Sequence, residues 1–176
     1  GATATHTGAG CIAFAGHATG PGFSAQANMM ASEAVWPAMA DAFASAAPAL
    51  PLADRMLAAL DAAEAAGGDV RGRQSAALVV VQASGEPWRR VVDLRVDDHP
   101  EPLAELARLL RLHGAYEQAA IGDDLVAEGR HAEAGAAYER AVELAPESDE
   151  LLFWAGLADA DAGDIDEDQT PEAGGD

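Results

Sequence analysis

The sequence predicts an α+β domain followed by an all-α unit, and three observations carry that expectation. Residues 1–99 alternate short β-tolerant runs with two amphipathic helical stretches in the order β-β-α-α-β-β. From Pro100 onward every apolar pattern has a helical period. Within that second part Gly122, Leu125, Gly129, Ala134, Tyr138, Ala141 and Pro146 keep the spacing of a helix-turn-helix repeat.

The elements follow in order. Thr3, Thr5 and Thr7 alternate with other residues and predict a strand, a turn at Thr7-Gly8-Ala9-Gly10 and a second strand through Ile12 and Phe14. Residues 15–28 are glycine-rich and read as a loop with an extended piece at Gly22-Phe23-Ser24. A helix is expected from about Met29 to Ala46, with Val35, Met39 and Phe43 on one face and a start or kink near Pro37. A second helix from Leu52 to Ala66 stops at Gly67-Gly68. The apolar run Ala76 to Val81 predicts a buried central strand, and Gly85-Glu86-Pro87 turns it into a partner from Trp88 to Val96. Two helices then cover one side of a sheet.

In the second part, Leu103, Leu106, Leu109 and Leu110 mark a connecting helix over 100–114. Residues 115–163 carry the repeat spacing, which is that of a tetratricopeptide unit of about 34 residues. Gly122 and Ala134 let two helices approach, Gly129 turns the chain, Tyr138 fills the groove and Pro146 ends the second helix. About one and a half such repeats do not stand alone, so the unit is expected to lean on its neighbour or on a second copy. Residues 164–176 are acidic with little to bury and are expected to be disordered.

Composition narrows the function. Thirty acidic residues against ten basic ones give a net charge of −20, which repels phosphate backbones and anionic lipid heads. No nucleic-acid or membrane partner is expected; a homo-oligomer or a partner protein at the repeat helices is. All ten basic residues are arginine, so no lysine is present to act as nucleophile or form a Schiff base. The single cysteine, Cys11, fits a reducing, cytoplasmic setting. The first residue is Gly1 in mid-pattern, not Met, so an upstream start is expected.

Two stretches carry candidate chemistry. In Gly67-Gly68-Asp69-Val70-Arg71-Gly72-Arg73-Gln74-Ser75, glycines allow tight turns while Gln74 and Ser75 sit at the mouth of a strand. Arg71 or Arg73 could offer a fork of donors to a ligand carboxylate; alternatively an Asp–Arg pair holds the loop's own shape. No nucleotide-loop spacing is present. In Asp93-Leu94-Arg95-Val96-Asp97-Asp98-His99, three carboxylates and a histidine could hold a cation. The favoured reading is that Asp97 or Asp98 caps a helix while Asp93 faces Arg95. No zinc or EF-hand signature occurs, so neither metal nor cofactor is expected.

Those two stretches, with His6-Thr7-Gly8 through Cys11 and Ala15-Gly16-His17 through Asn28, resemble the family called domain of unknown function 1028 over residues 1 to 113. The resemblance implies a partial Ntn-hydrolase-like αββα sandwich, of which this chain supplies the later strands and one helical layer. It departs from the family at Phe14, where Trp is usual, at Ala27, where Gly is usual, and in its tetratricopeptide-like partner unit. An Ntn enzyme uses an N-terminal Thr, Ser or Cys, and here that nucleophile is expected either before Gly1 or on a partner chain. Asn28, Asp69, Arg71, Gln74 and Ser75 are the expected ligand-binding residues; no catalytic residue is assigned. An amide-bond hydrolase, complete only with its opening segment, and a non-enzymatic ligand-binding or scaffold protein are the two functional expectations.

Overall fold

The computed structural model describes residues 2–86 and 88–168. Among them are two small antiparallel sheets and five helices, an α+β architecture in two compact units, Gly1–Arg108 and Leu109–Asp176.

The first unit keeps the expected order β-β-α-α-β-β, but its opening hairpin lies elsewhere. β1 (Gly16–Gly20) pairs antiparallel with β2 (Phe23–Ala27), Gly20 opposite Phe23. Pro21 and Gly22 form the two-residue loop, and Gly22 takes φ +77°, as a Pro-Gly turn requires. The strands expected through Thr3–Thr7 and Ile12–Phe14 are absent among residues 2–14. Alternating threonines tolerate β structure without supplying a partner, whereas Pro21-Gly22 brings its own two flanks together.

α1 (Val35–Ser45) starts six residues later than expected. Pro37 therefore sits in its first turn, where a missing N–H costs little. The helix rests on the hairpin: a Cβ built on Gly16 would come within 2.4 Å of the Trp36 ring, so only glycine allows this approach. α2 (Leu52–Ala65) packs against α1. The Phe43 ring is 4.8 Å from that of Phe23 and 4.3 Å beneath the Arg55 guanidinium. α2 ends as its sequence predicts, with Gly68 N–H donating to Ala63 O and Gly67 N–H to Glu64 O.

β3 (Ala76–Val81) pairs with β4 (Arg90–Val96), which starts two residues after the expected Trp88; Pro87 lies outside the described residues. Leu78, Val92 and Val96 are buried on one face. Val79, Val81 and Val91 are exposed on the other, so β3 is covered on one side only and is not the buried central strand expected. Continuous apolar sequence does not reveal how many layers cover a strand.

α3 (Pro102–Ala127) is one helix where a connecting helix and a repeat helix were expected to meet near residue 114. Gly114 alone does not break it, since a helical glycine costs only about 1 kcal/mol. In the second unit α3 is followed by α4 (His131–Leu144) and α5 (Asp149–Asp168). The α3–α4 turn passes through Gly129 at φ +75°. Ala115 and Ala119 of α3, Ala134, Tyr138 and Ala141 of α4, Ala145 and Leu151 form the core. Gly122 faces the Tyr138 ring so closely that a Cβ would lie 2.8 Å from it. Tyr138 donates its hydroxyl to Asp123 at 2.5 Å. α5 runs to Asp168, into the segment expected as a tail; residues 169–176 lie outside the described residues. Among the described residues no helix is long and apolar enough to cross a membrane.

Candidate functional site

The site grows from backbone stitching between two distant segments. Ala31 N–H donates to Gly68 O and Val70 N–H to Met29 O, both at 2.9 Å, and Met30 bridges Asp69. Gly67 and Gly68, with φ +121° and +58°, let the chain leave α2 and turn back toward this contact. Met29 itself holds φ +63°, a left-handed conformation costing roughly 1–2 kcal/mol for a residue with a Cβ. The Asn28 carboxamide accepts the Met29 N–H at 2.9 Å and offsets part of that strain. The rest of the segment is held by Met30 N–H on Phe14 O at 3.2 Å.

This stitching brings all five sequence-predicted residues, Asn28, Asp69, Arg71, Gln74 and Ser75, to the wall of one cavity of about 740 Å³. Ala27, Met30, Val35, Met39, Leu60 and Ala63 give part of the wall an apolar floor. That volume lies within the usual range for small-molecule sites. The loop's arginines, however, are already committed. Asp69 grips Arg71 bidentately, with Nε–Oδ1 at 2.9 Å and Nη2–Oδ2 at 2.6 Å, and accepts the Arg71 N–H at 2.8 Å. These bonds hold the Asp69 carboxyl well below its usual range, at about 2. Arg73 pairs with Glu64 of α2 and with Glu101, just before α3.

The Asp–Arg pair that would hold the loop's own shape is formed. The cavity wall holds Glu64, Asp69, Asp98 and Glu101 against only Arg71 and Arg73, so its balance is negative. Its neutral polar groups are three carboxamides, Gln26, Asn28 and Gln74, with the Ser75 hydroxyl. Each carboxamide has donors and an acceptor to offer.

Sequence reasoning missed Gln26, Glu64, Asp98 and Glu101 as wall residues. Gln26 had a signal: it is two residues before Asn28, which places both on one side of an extended chain. Glu64 and Glu101 had none, because only the fold brings helix ends to the loop. Gln26, Ala27 and Asn28 also line a second cavity of about 310 Å³ with His6, Thr7, Cys11 and Gly16. Thr7 Oγ1 of that wall and His17 Nδ1 of β1 are hydrogen-bonded at 2.7 Å.

The acidic stretch from Asp93 in β4 to His99 does a structural job. Asp93 pairs with Arg90 along the strand, and not with Arg95. His99, in place of Asp97 or Asp98, accepts a backbone N–H near the start of α3, that of Glu101 at 3.0 Å, while its own N–H donates to Gln74 O at 2.9 Å. The second bond anchors Gln74 at the cavity. Among the described residues no group of three or more His, Cys, Asp or Glu is placed to hold a metal ion.

Comparison with curated proteins returned no match. Among solved structures the chain is similar to the crystal structure of a Silicibacter pomeroyi protein of family DUF1028, with 36% identity and a TM-score of 0.51. That similarity covers 60% of this chain and 43% of the other, so the chain spans less than half the length of the protein it matches. The family model for DUF1028, a family of unknown function, matches residues 1–106. By that match over most of its length, the chain belongs to DUF1028.

Proposed function

We propose that the first unit binds a small amide-bearing molecule that is neutral or positively charged. The observation that carries this is the cavity wall: Gln26, Asn28, Gln74 and Ser75 beside four carboxylates, with Arg71 paired to Asp69 and Arg73 paired to Glu64 and Glu101. Carboxamides match an amide group donor for acceptor, and the negative balance selects against free acids. An Ntn-hydrolase-like sandwich would use such a cavity to hold the amide while a nucleophile from before Gly1 attacks it. This chain would then provide binding and orientation, and amide-bond hydrolysis would belong to the longer protein.

The test compares dipeptide amides with the same dipeptides bearing a free carboxylate, by thermal shift. The amides should raise Tm, the acids should raise it less, and Asn28→Ala or Gln74→Ala should abolish the difference. No shift with any of them, or a larger shift with the acids, would sink the reading. For the hydrolytic step, the full reading frame should release ammonia or amine from the amide that binds. If its mature protein has no N-terminal Thr, Ser or Cys, the domain binds without cutting.

A second reading concerns the second unit: a tetratricopeptide-like scaffold for protein partners. Gly122 under the Tyr138 ring and the Gly129 turn support it, because they are the close approach and the reversal that such a repeat needs.

A further inference from the structure

We propose that the face of α5 carrying Phe153, Trp154 and Leu157 docks a basic amphipathic helix from another protein. The proposal is independent of the cavity and gives the scaffold reading of the second unit a definite surface and partner.

Over residues 149–160, α5 buries one side only. Leu151 is 1% exposed and joins the alanine-rich core, with Ala155 and Ala158 packed against that core. Leu157 lies three residues from Trp154 and four from Phe153, which places it beside both on another side of the helix. They are 62%, 44% and 43% exposed. The Phe153 and Trp154 rings meet edge-on with centroids 5.2 Å apart, giving a continuous aromatic surface. One turn toward the N-terminus the same face reaches Glu150, whose carboxylate accepts the Tyr116 hydroxyl of α3 at 2.6 Å. The patch thus has an acidic rim at its N-terminal end, with Asp149 and Glu150 both exposed.

Charge decides the occupant. From Leu109 onward the sequence holds 18 acidic and three basic residues, three-quarters of the chain's net charge of −20. One of the three arginines, Arg130, is paired with Glu128 and Glu133. A second copy would bring an equally negative surface against the first, and an anionic membrane would be repelled likewise. A helix with apolar residues at three- and four-residue spacing and a Lys/Arg flank satisfies both the aromatic patch and its rim. Aromatic anchors such as Trp154 are also where binding energy concentrates in such interfaces.

The experiment titrates the full chain calorimetrically with a synthetic amphipathic Leu/Lys helix, at low and high salt. Two control peptides keep its length: one replaces the leucines by serine, the other the lysines by glutamate. The Leu/Lys helix should bind, more weakly at high salt, and each control should bind at least about tenfold more weakly. Phe153→Ala/Leu157→Ala should lose about tenfold, with Leu151 left in place to keep the core. Asp149→Asn/Glu150→Gln keeps the Tyr116 bond and should reduce the salt dependence, so the charge argument stands even if the apolar variant misfolds. Equal binding by wild type and Phe153→Ala/Leu157→Ala would overturn this face while leaving the helices able to bind a partner elsewhere. No binding by any peptide would overturn both. Self-association in sedimentation that Phe153→Ala/Leu157→Ala abolishes would make the occupant a second copy and also overturn the proposal.

Discussion

The glycine loop of the first unit and the helical core of the second use small residues for opposite purposes. In the first, Gly67, Gly68 and Gly72 take positive φ, so glycine here makes backbone shape. The product is an open, charged loop at a cavity. In the second, Gly122, Ala115, Ala119, Ala134 and Ala141 sit inside or against helices, and their smallness lets backbones close on one another. The product is a thin core in which, among the described residues, Tyr138 is the one buried aromatic plug. A charged loop held by exposed ion pairs is tolerant of substitution; a thin core with a single plug is not.

The largest effect should therefore come from Tyr138→Ala. Tyr138 is 6% exposed and fills the space over Gly122, so its loss leaves a void among alanines that cannot reach across. About 3–5 kcal/mol is expected, as for other buried aromatics. In circular dichroism the helical signal of the second unit should melt first, with the first unit unfolding as before. Tyr138→Phe isolates the hydroxyl. It loses the bond to Asp123 and should cost about 1 kcal/mol, with an unpartnered carboxylate left at the groove edge. If the alanine variant melted in one transition at the wild-type temperature, the contrast between the units would collapse.

Next come the two close approaches, one in each unit. A Cβ at Gly16 would meet the Trp36 ring at 2.4 Å, and one at Gly122 the Tyr138 ring at 2.8 Å. Overpacking costs about 1–3 kcal/mol, but Gly122→Ala recovers about 1 kcal/mol of helix propensity and Gly16→Ala does not. Gly16→Ala should thus be the more destabilising in denaturant titration. The opposite order would mean that Trp36 yields more easily than Tyr138.

How much of this was legible depends on the range of the interaction. The end of α2 could be read directly, because Gly67-Gly68 acts on the carbonyls three to five residues before it. The Gly122–Tyr138 contact could be read from repeat spacing, since helix geometry converts that spacing into a distance. The opening hairpin was misplaced because three alternating threonines are conspicuous while Pro21-Gly22 is only two residues, yet the turn supplies the partner. Asn28, Asp69, Arg71, Gln74 and Ser75 were found as cavity residues, but not their electrostatics. Arg71 meets Asp69 two residues away, which sequence allows; Arg73 meets Glu64 and Glu101, 9 and 28 residues away, which only the fold decides. Those two pairings are why the proposal above is a neutral or cationic amide and not the carboxylate that one of the two sequence readings offered.

The smallest effect concerns that loop and tests whether it really is tolerant. Asp69 has its carboxyl lowered to about 2 by the hydrogen bonds from Arg71. A group depressed in the folded state adds stability that is complete above its unfolded value, near 3.9, and is lost as pH falls toward the folded value. The contribution should therefore disappear between about pH 4 and pH 2. Its size is that of an exposed pair, about 0–1 kcal/mol, because the Arg71 side chain is 68% exposed and water screens it. Asp69→Asn should flatten the stability profile in that window and change little at neutral pH. At neutral pH it also frees the Arg71 guanidinium toward the cavity, so dipeptides with a free carboxylate should gain affinity relative to their amides. A drop of several kcal/mol at pH 7 would show instead that the Asp69–Arg71 clamp carries the fold of the first unit, and the division between a tolerant loop and an intolerant core would not hold.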